Sequence, residues 1–454
     1  MLIENFAIKN LFGYQDFEIS FKQKDNIFIG ENGMGKTSIL AILYHTLSLN
    51  FKELFRYDFT TIEIQYENSK KIKISHSQIK ELLDFEDTRN HNILPPNIKR
   101  KIQLILDSEP YKNAIKSKEK FDSVSYIRRT LYKEHNTSVP ASLITEITNR
   151  ELFIENSNIK YFIDTTKRLE NTKILYFPTY RRIEEDIENL DMEDDRQEFY
   201  YNKKRKFLNK STGELIQFGM DDVEQTITNL LDTIKKNSID SFNKMTSELL
   251  EQYAVDNLEQ NELSQLSEQD IDISLKRVGD KIDSILYEKI MQLSKSGELT
   301  NFRYLHNLIT NLVNKNKSLE SIDNKIQEFV DKCNDYLYGK KFIYNPSEVT
   351  LNIQLESNNG DIKLSQLSSG EKQLVSTFSK VFLENNDNLI ILFDEPELSL
   401  SIDWQKKFIY DIFNSENSIF CLAVTHSPYI FQNETMFNIT SEMRKYIRES
   451  DHIQ

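Results

Sequence analysis

Apolar and polar residues alternate over residues 2–21 around Gly13, a pattern that predicts two short strands joined as a hairpin. Ile27, Phe28 and Ile29 then form a brief apolar strand that leads straight into Gly30. From Thr37 to residue 49 the apolar positions Ile39, Leu40, Leu43 and Leu47 recur at helical spacing. Residues 61–66 and 71–74 alternate again about a polar turn and predict a second pair of strands. Between about residues 78 and 167 the pattern is mixed and mostly helical, with Pro95 and Pro96 as punctuation. Residues 174–177 are a compact apolar strand stopped by Pro178.

Residues 221–338 are polar and almost free of Pro and Gly, with apolar side chains three and four apart, as at Leu230, Leu231 and Ile234 and again at Ile322, Ile326, Phe329 and Val330. This predicts several amphipathic helices packed as a hairpin or bundle. No heptad continues through residues 257–272, so a long coiled-coil rod is not expected. Residues 349–355 and 361–364 flank Ser357-Asn358-Asn359-Gly360, a hairpin signal. A helix is expected to start at Ser369-Gly370 and to run to about Leu383. The apolar runs 389–393 and 419–424 predict buried parallel strands, with residues 402–413 crossing between them as a helix. The pattern is that of an α/β fold interrupted by helices, which divides the chain into residues 1–182, a mainly helical insertion over 183–340, and residues 341–454.

Composition narrows this picture. A chain of 454 residues carries about two to four domains as a prior. The longest strongly apolar run, residues 389–393, is far below the roughly 20 residues of a membrane span, and the first residues lack the basic and apolar regions of a signal peptide. The two cysteines, Cys333 and Cys421, cannot build a disulfide framework, and no Cys or His cluster has zinc-ligand spacing, so a reducing cytoplasmic setting is expected. The formal charge of −14 argues against nucleic acid covering the whole surface and leaves room for a local basic stripe.

The sharpest chemistry lies at the two ends of the chain. Residues 30–37 fit G-x-x-x-x-G-K-[ST] between a strand and a helix. In such a loop Gly30, Asn32, Gly33 and Gly35 let backbone N–H groups close on phosphate oxygens, with Ser38 following in the helix. Lys36 supplies positive charge to the outer phosphates, and the Thr37 hydroxyl suits Mg2+. About 330 residues later, Asp394 and Glu395 end a buried strand. Asp394 suits a metal held through water, and Glu395 suits orienting or deprotonating an attacking water. Ser368, Ser369, Gly370 and Glu371 combine helix-capping residues with the unpaired N–H groups that bind anions.

Taken together, Leu367 to Glu371, Asp394-Glu395-Pro396-Glu397, Leu398-Ser399-Leu400-Ser401 and Val424-Thr425-His426-Ser427-Pro428 resemble the ABC-type ATPase heads of the SMC, DNA-repair and OLD-like families. The resemblance implies an α/β P-loop head with a mixed sheet, ATP and Mg2+ as cofactors, and head-to-tail pairing of two copies into a homodimer. It implies that Ser368, Ser369 and Gly370 act on the nucleotide of the other subunit, that residues 398–401 communicate across the dimer, and that His426 senses the terminal phosphate. Glu395, His426 and Lys36 are then the catalytic set.

Two departures from that pattern matter. Similar heads carry a glutamine after the strand represented here by residues 174–177, where this chain has Thr179-Tyr180-Arg181-Arg182, with Gln217 as a weakly placed substitute and Arg181 or Arg182 as alternative phosphate contacts. OLD-like nucleases append a TOPRIM nuclease, whereas 28 residues follow His426, and the acid run Asp191, Glu193, Asp194, Asp195 reads as a solvated loop. A nuclease is therefore expected from another chain.

Residues 176–182 and 393–401, with Trp404 and Gln405, resemble the AriA family of PARIS anti-phage systems, with the Septu PtuA and retron-associated ATPases as close rivals. That resemblance implies a homo-oligomer that holds a TOPRIM-type toxin nuclease and releases it when a phage protein is sensed. Basic residues at Lys112, Lys116, Lys118, Lys120, Arg128, Arg129 and Lys133, and at Lys203, Lys204, Arg205 and Lys206, suit an acidic or DNA-mimicking trigger, or else line solvated helix faces. A DNA-repair or chromosome-associated ATPase that binds DNA directly, and a nucleotide-stabilised scaffold with little turnover, are the alternatives.

Overall fold

The computed structural model describes residues 3–87, 96–111, 113, 122–135, 137–141, 144, 145, 158–167, 169, 172–179, 213–215, 220–255, 266–279, 282–384 and 388–450. The expected hairpin forms as β1 (Ile3–Leu11) and β2 (Gln15–Ser20), and β3 (Asp25–Ile29) leads to α1 (Lys36–Leu47) and the short α2 (Phe51–Leu54). The second pair of strands is β4 (Thr61–Tyr66) and β5 (Ile72–Ser75). Among the described residues there follow the helices α3 (His76–Asp87), α4 (Pro96–Asp107), α5 (Ser123–His135) and α6 (Asn158–Lys167), and then β6 (Lys173–Phe177) and β7 (Gly213–Leu215).

The long polar stretch forms α7 (Met220–Val255), α8 (Glu268–Arg277), α9 (Ser284–Lys295), α10 (Arg303–Lys317) and α11 (Glu320–Asn334). It is a set of helices as expected, although α7 alone has 36 residues. Next come β8 (Lys340–Asn345), β9 (Thr350–Leu355), β10 (Asp361–Ile362) and α12 (Ser369–Phe378), which passes into a π-helical turn over Ser379–Leu383 and so ends where the sequence pattern predicts. The chain continues through β11 (Leu389–Asp394), α13 (Ile402–Phe413), β12 (Ser418–Thr425), α14 (Glu434–Asn438), β13 (Thr440–Glu442) and β14 (Ile447–Glu449). Strands β7, β8, β13 and β14 lie outside the sequence expectation; β7, β13 and β14 have three residues each, too few to show a period.

Two compact units contain these elements. The first comprises Met1–Ile216, Asp387–Leu398 and Ser418–Gln454, and the second Gln217–Asn386 and Ser399–Asn417. In the first, one sheet has the order β13-β3-β12-β11-β6-β7 and is parallel throughout, while the other, β14-β2-β1-β4-β5, is antiparallel. The mixture of strand directions expected of one sheet is thus divided between two. Helix α1 is apolar on nearly every side and buries Ile39 to Tyr44 in one cluster with Ile8, Phe17 and Ile62 of the antiparallel sheet and Leu392 and Leu422 of the parallel one. A helix buried all round in this way fixes the loop before it.

In the second unit, Met245, Ile271, Leu275, Ile290, Ile309, Leu312 and Val313 form the core of the helices. Phe329 of α11 meets Phe342 of β8 edge to face, with ring centroids 5.5 Å apart. Among the described residues no helix is long and apolar enough to cross a membrane.

Candidate functional site

In the first unit, β3 delivers the chain to residues 30–35, and Gly33 (φ 85°) and Gly35 (φ 78°) take left-handed conformations that a side chain resists. This turn lets α1 begin at Lys36 with its first N–H groups facing the loop. Asn32 and Gly33 are exposed, Ser38 is half-buried, and Lys36 is buried. The Lys36 ammonium donates to Gly30 O at 2.7 Å and to Glu31 O at 3.1 Å, so it curls across the loop that it is expected to serve. Beside the loop lies the β1–β2 turn, where a Cβ at Gly35 would meet Gln15 Nε2 at 3.5 Å and Phe12 at 3.6 Å.

Strand β11 carries Asp394 into the same place. Asp394 is 2% exposed, and Thr37 Oγ1 donates to its Oδ1 at 3.1 Å. On the other carboxylate oxygen, Thr179 Oγ1 donates to Oδ2 at 2.7 Å. Residues 37, 179 and 394 therefore share one carboxylate, although the sequence spreads them over most of the chain. Among the described residues no group of three His, Cys, Asp or Glu could hold a metal ion. A site with one carboxylate and flanking hydroxyls instead fits Mg2+, which takes few protein ligands and fills its shell from phosphates and water.

Directly after Asp394 the chain turns. Glu395 has φ 50°, rare for a residue with a side chain, and its N–H donates to Val424 O at 2.9 Å, which pins the turn to β12. Backbone held this way at a strand end is common where a side chain must be aimed at a ligand. His426 is 46% exposed and places Nδ1 3.5 Å from Glu395 Oε1 and 3.2 Å from Glu397 Oε1. Glu397 is the anchor of this corner: its Oε1 accepts from Thr425 Oγ1 at 2.7 Å, His426 N at 3.0 Å and Ser427 N at 3.1 Å. The sequence reading placed Glu397 and Thr179 only within motifs, with no role of their own.

The second unit holds the other candidate residues. Ser368 caps α12 in a reciprocal box: Glu371 N donates to Ser368 Oγ at 3.4 Å, and Ser368 N donates to Glu371 Oε2 at 2.7 Å. Lys340 on β8 reaches both Glu371 oxygens, at 3.0 and 2.8 Å. Burial pushes the Glu371 carboxyl up, but Lys340 and the Ser368 hydrogen bonds outweigh it and hold the group below the usual glutamate value. Ser368 and Ser369 are exposed, whereas Gly370 is buried, and a Cβ there would stand 2.5 Å from Ser399 O. Gly370 therefore has a packing reason to be glycine in addition to any role in binding anions.

Arg181, Arg182, Gln217, the acid run at 191–195 and the basic run at 203–206 lie outside the described residues, as do Lys112, Lys116, Lys118 and Lys120. Arg128, Arg129 and Lys133 are exposed on α5.

Comparison with known proteins adds three relatives of different reach. The Retron Vc95 probable ATPase of Vibrio cholerae serotype O1 biovar El Tor is 23% identical over 468 residues, which span 98% of this chain and 73% of that protein. The DNA replication and repair protein RecF of Bacillus cytotoxicus is 38% identical over 65 residues, 13% of this chain and 17% of RecF. Among solved structures, the Smc head domain of Pyrococcus furiosus with an extended coiled coil, bound to the C-terminal domain of ScpA, aligns with 94% of this chain and 90% of that chain at 12% identity and a TM-score of 0.33. Residues 1–431 match the family model of the AAA ATPase domain, AAA_15, and with nearly the whole length so matched the chain belongs to that family.

Proposed function

We propose that this AAA ATPase is an ABC-type switch in anti-phage defence, which binds and hydrolyses ATP, senses a phage-encoded trigger, and holds and then releases a partner toxin nuclease. The observation that carries the nucleotide chemistry is the meeting of Thr37 and the buried Asp394 across 357 positions of sequence. The defence setting is supported by the similarity to the retron ATPase over almost the entire chain. Among the defence families that the sequence resembles, this favours the retron-associated ATPases over AriA of PARIS.

In this reading the N–H groups of the phosphate loop and Lys36 bind the nucleotide phosphates, and Thr37 and Asp394 hold Mg2+, which supplies charge neutralisation on the phosphates when bound. Glu395 orients the attacking water and accepts its proton. His426 stands by the terminal phosphate, held there by Glu397 through the His426 N–H. Ser368, Ser369 and Gly370 close on the nucleotide of a second copy, so that ATP binding joins two heads and turnover parts them. Arg128, Arg129 and Lys133 offer α5 as a meeting place for an acidic or DNA-mimicking trigger.

A second reading, direct DNA binding in repair, has the RecF similarity behind it, but that similarity covers only 13% of the chain. Purification of the full chain from its native host, before and during phage infection, followed by mass spectrometry, separates the two. The switch reading expects a nuclease bound before infection and lost during it. A chain that purifies alone and binds duplex DNA tightly in physiological salt would overturn it.

A further inference from the structure

Asp394 accepts a hydroxyl proton on each of its oxygens, and of these hydroxyls that of Thr37 belongs to the phosphate-loop motif whereas that of Thr179 does not. Thr37 occupies Oδ1 at 3.1 Å, and Thr179 occupies Oδ2 at the shorter distance of 2.7 Å. We propose that Thr179 is a second metal-positioning hydroxyl, paired with Thr37 about Asp394. The inference rests on the reading of the site as one for nucleotide and a divalent cation.

The chemistry of the hydroxyl gives the first reason. A threonine that donates its proton to a carboxylate keeps two lone pairs, which suit a hard cation or one of its waters. Thr37 and Thr179 are equivalent in this respect, since each donates to a different oxygen of the same 2%-exposed carboxylate. If one of them presents its oxygen to a cation on Asp394, the other is prepared in the same way.

The fold gives the second. Strands β6 and β11 are parallel neighbours with Phe177 opposite Phe393, and the two rings stack with centroids 4.2 Å apart and planes within 3°. This stack ties the strand ends together one residue before Asp394 and two before Thr179. Between Phe177 and Thr179 stands Pro178, whose ring fixes its own φ and restricts the residue before it. The hydroxyl is thus delivered by a short, stiff connection from a buried strand, a support that a ligand-positioning group needs.

A hydrogen bond that merely ties the chain down would look the same, so the test must read the metal apart from the fold. Thr179→Val keeps the branched shape and removes the hydroxyl, and Thr179→Ser keeps the hydroxyl. With the full chain and ADP present, Mn2+ affinity is measured by electron paramagnetic resonance, and ADP affinity is measured separately in excess chelator. Loss of a supporting metal-site group weakens metal binding by about ten- to a hundredfold. Thr179→Val is expected to show that loss of Mn2+ affinity with metal-free ADP binding within about twofold of wild type, and Thr179→Ser is expected to restore most of it. Wild-type Mn2+ affinity in Thr179→Val, or an equal loss of metal-free ADP binding, overturns the inference while the wild-type site stands. A wild-type chain that binds neither ADP nor Mn2+ with ADP overturns the nucleotide reading itself, and this inference with it.

Discussion

Gly370→Ala adds one methyl group where the second unit has no room for it. The new Cβ would lie 2.5 Å from the Ser399 carbonyl oxygen and 3.6 Å from Trp404 Cζ3. Real Cβ atoms essentially never approach closer than 3.0 Å, so the backbone of α12 or that of Ser399 must move by at least 0.5 Å, the difference between 3.0 and 2.5. Ser399 cannot yield easily, because its φ of 65° already lies in the narrow left-handed region. Overpacking of this kind costs about 1–3 kcal/mol, and the better helix propensity of alanine returns at most about 1 kcal/mol. Because the atom met is backbone and not a flexible side chain, the upper part of that range applies, about 2–3 kcal/mol, and a net loss of about 1–2 kcal/mol is expected.

Urea unfolding followed by fluorescence measures this directly, because Trp404 is the single tryptophan and lies against the perturbed position. Ser399→Gly supplies the rescue: glycine enters positive φ freely and lets the carbonyl turn aside, so the double variant is expected to recover about 1 kcal/mol beyond the sum of the two single changes. A Gly370→Ala chain with wild-type unfolding midpoint and emission would refute the packing argument. If that stable chain had lost ATP turnover, the glycine would be kept for the nucleotide and not for Ser399.

Three further outcomes are expected. Glu395→Gln keeps the size of the side chain but not its basicity, and ATP turnover measured by phosphate release should fall by about 10²–10⁴-fold with nucleotide binding retained and the heads held together in light scattering; undiminished turnover sinks the assigned role. Glu397→Ala removes the acceptor of the Thr425 hydroxyl and of the His426 N–H, while the Ser427 N–H keeps Thr425 Oγ1 at 2.9 Å, and should lower stability by about 2–4 kcal/mol, whereas Glu397→Gln keeps an acceptor oxygen and should lose about 1 kcal/mol. Equal losses for the two would show that Glu397 does not anchor that corner. Lys340→Met should cost about 1–2 kcal/mol at neutral pH, read by Trp404 fluorescence in urea. Because the folded Glu371 carboxyl lies below its usual value of 4.5, the stability from its pairing is complete above that value and is lost as pH falls through the depressed folded one. The gap between wild type and Lys340→Met should close on acidification over that window, and a gap independent of pH would mean that Lys340 contributes packing and not charge.

What the sequence showed of this molecule depended on distance along the chain. The phosphate loop was legible because strand, glycines and helix are contiguous, and Gly33 and Gly35 each answer to a positive φ. The capping box at Ser368 and Glu371 was legible for the same reason, since its partners are three residues apart. Thr179 was visible only as a residue in an unmatched loop, because its partner lies 215 positions away and the register of β6 against β11 is what joins them. Glu397 was hidden in another way: DEPE reads as a run of acids, and nothing local distinguishes buried Glu397, which accepts three hydrogen bonds, from buried Asp394 or half-buried Glu395. The three-residue strands β13 and β14 escaped because they are edge additions ordered by β3 and β2, with no period of their own.

These hidden contacts give the divided site a physical meaning. Thr37, Thr179, Asp394, Glu397 and His426 support one another within the first unit, and Lys340, Glu371, Gly370, Ser399 and Trp404 do so within the second. The chain leaves the first at Leu398 and enters the second at Ser399, five residues after Asp394 and at a backbone position of positive φ. Each half of the proposed ATP site is therefore braced by neighbours within its own unit. Substitutions at Thr179 and at Gly370 should then add in their effects on stability to within about 0.5 kcal/mol, as independent sites do. Their effects on ATP turnover need not add, because turnover in the proposed dimer requires both halves at one nucleotide, and the departure from additivity measures that encounter apart from the folding of either unit.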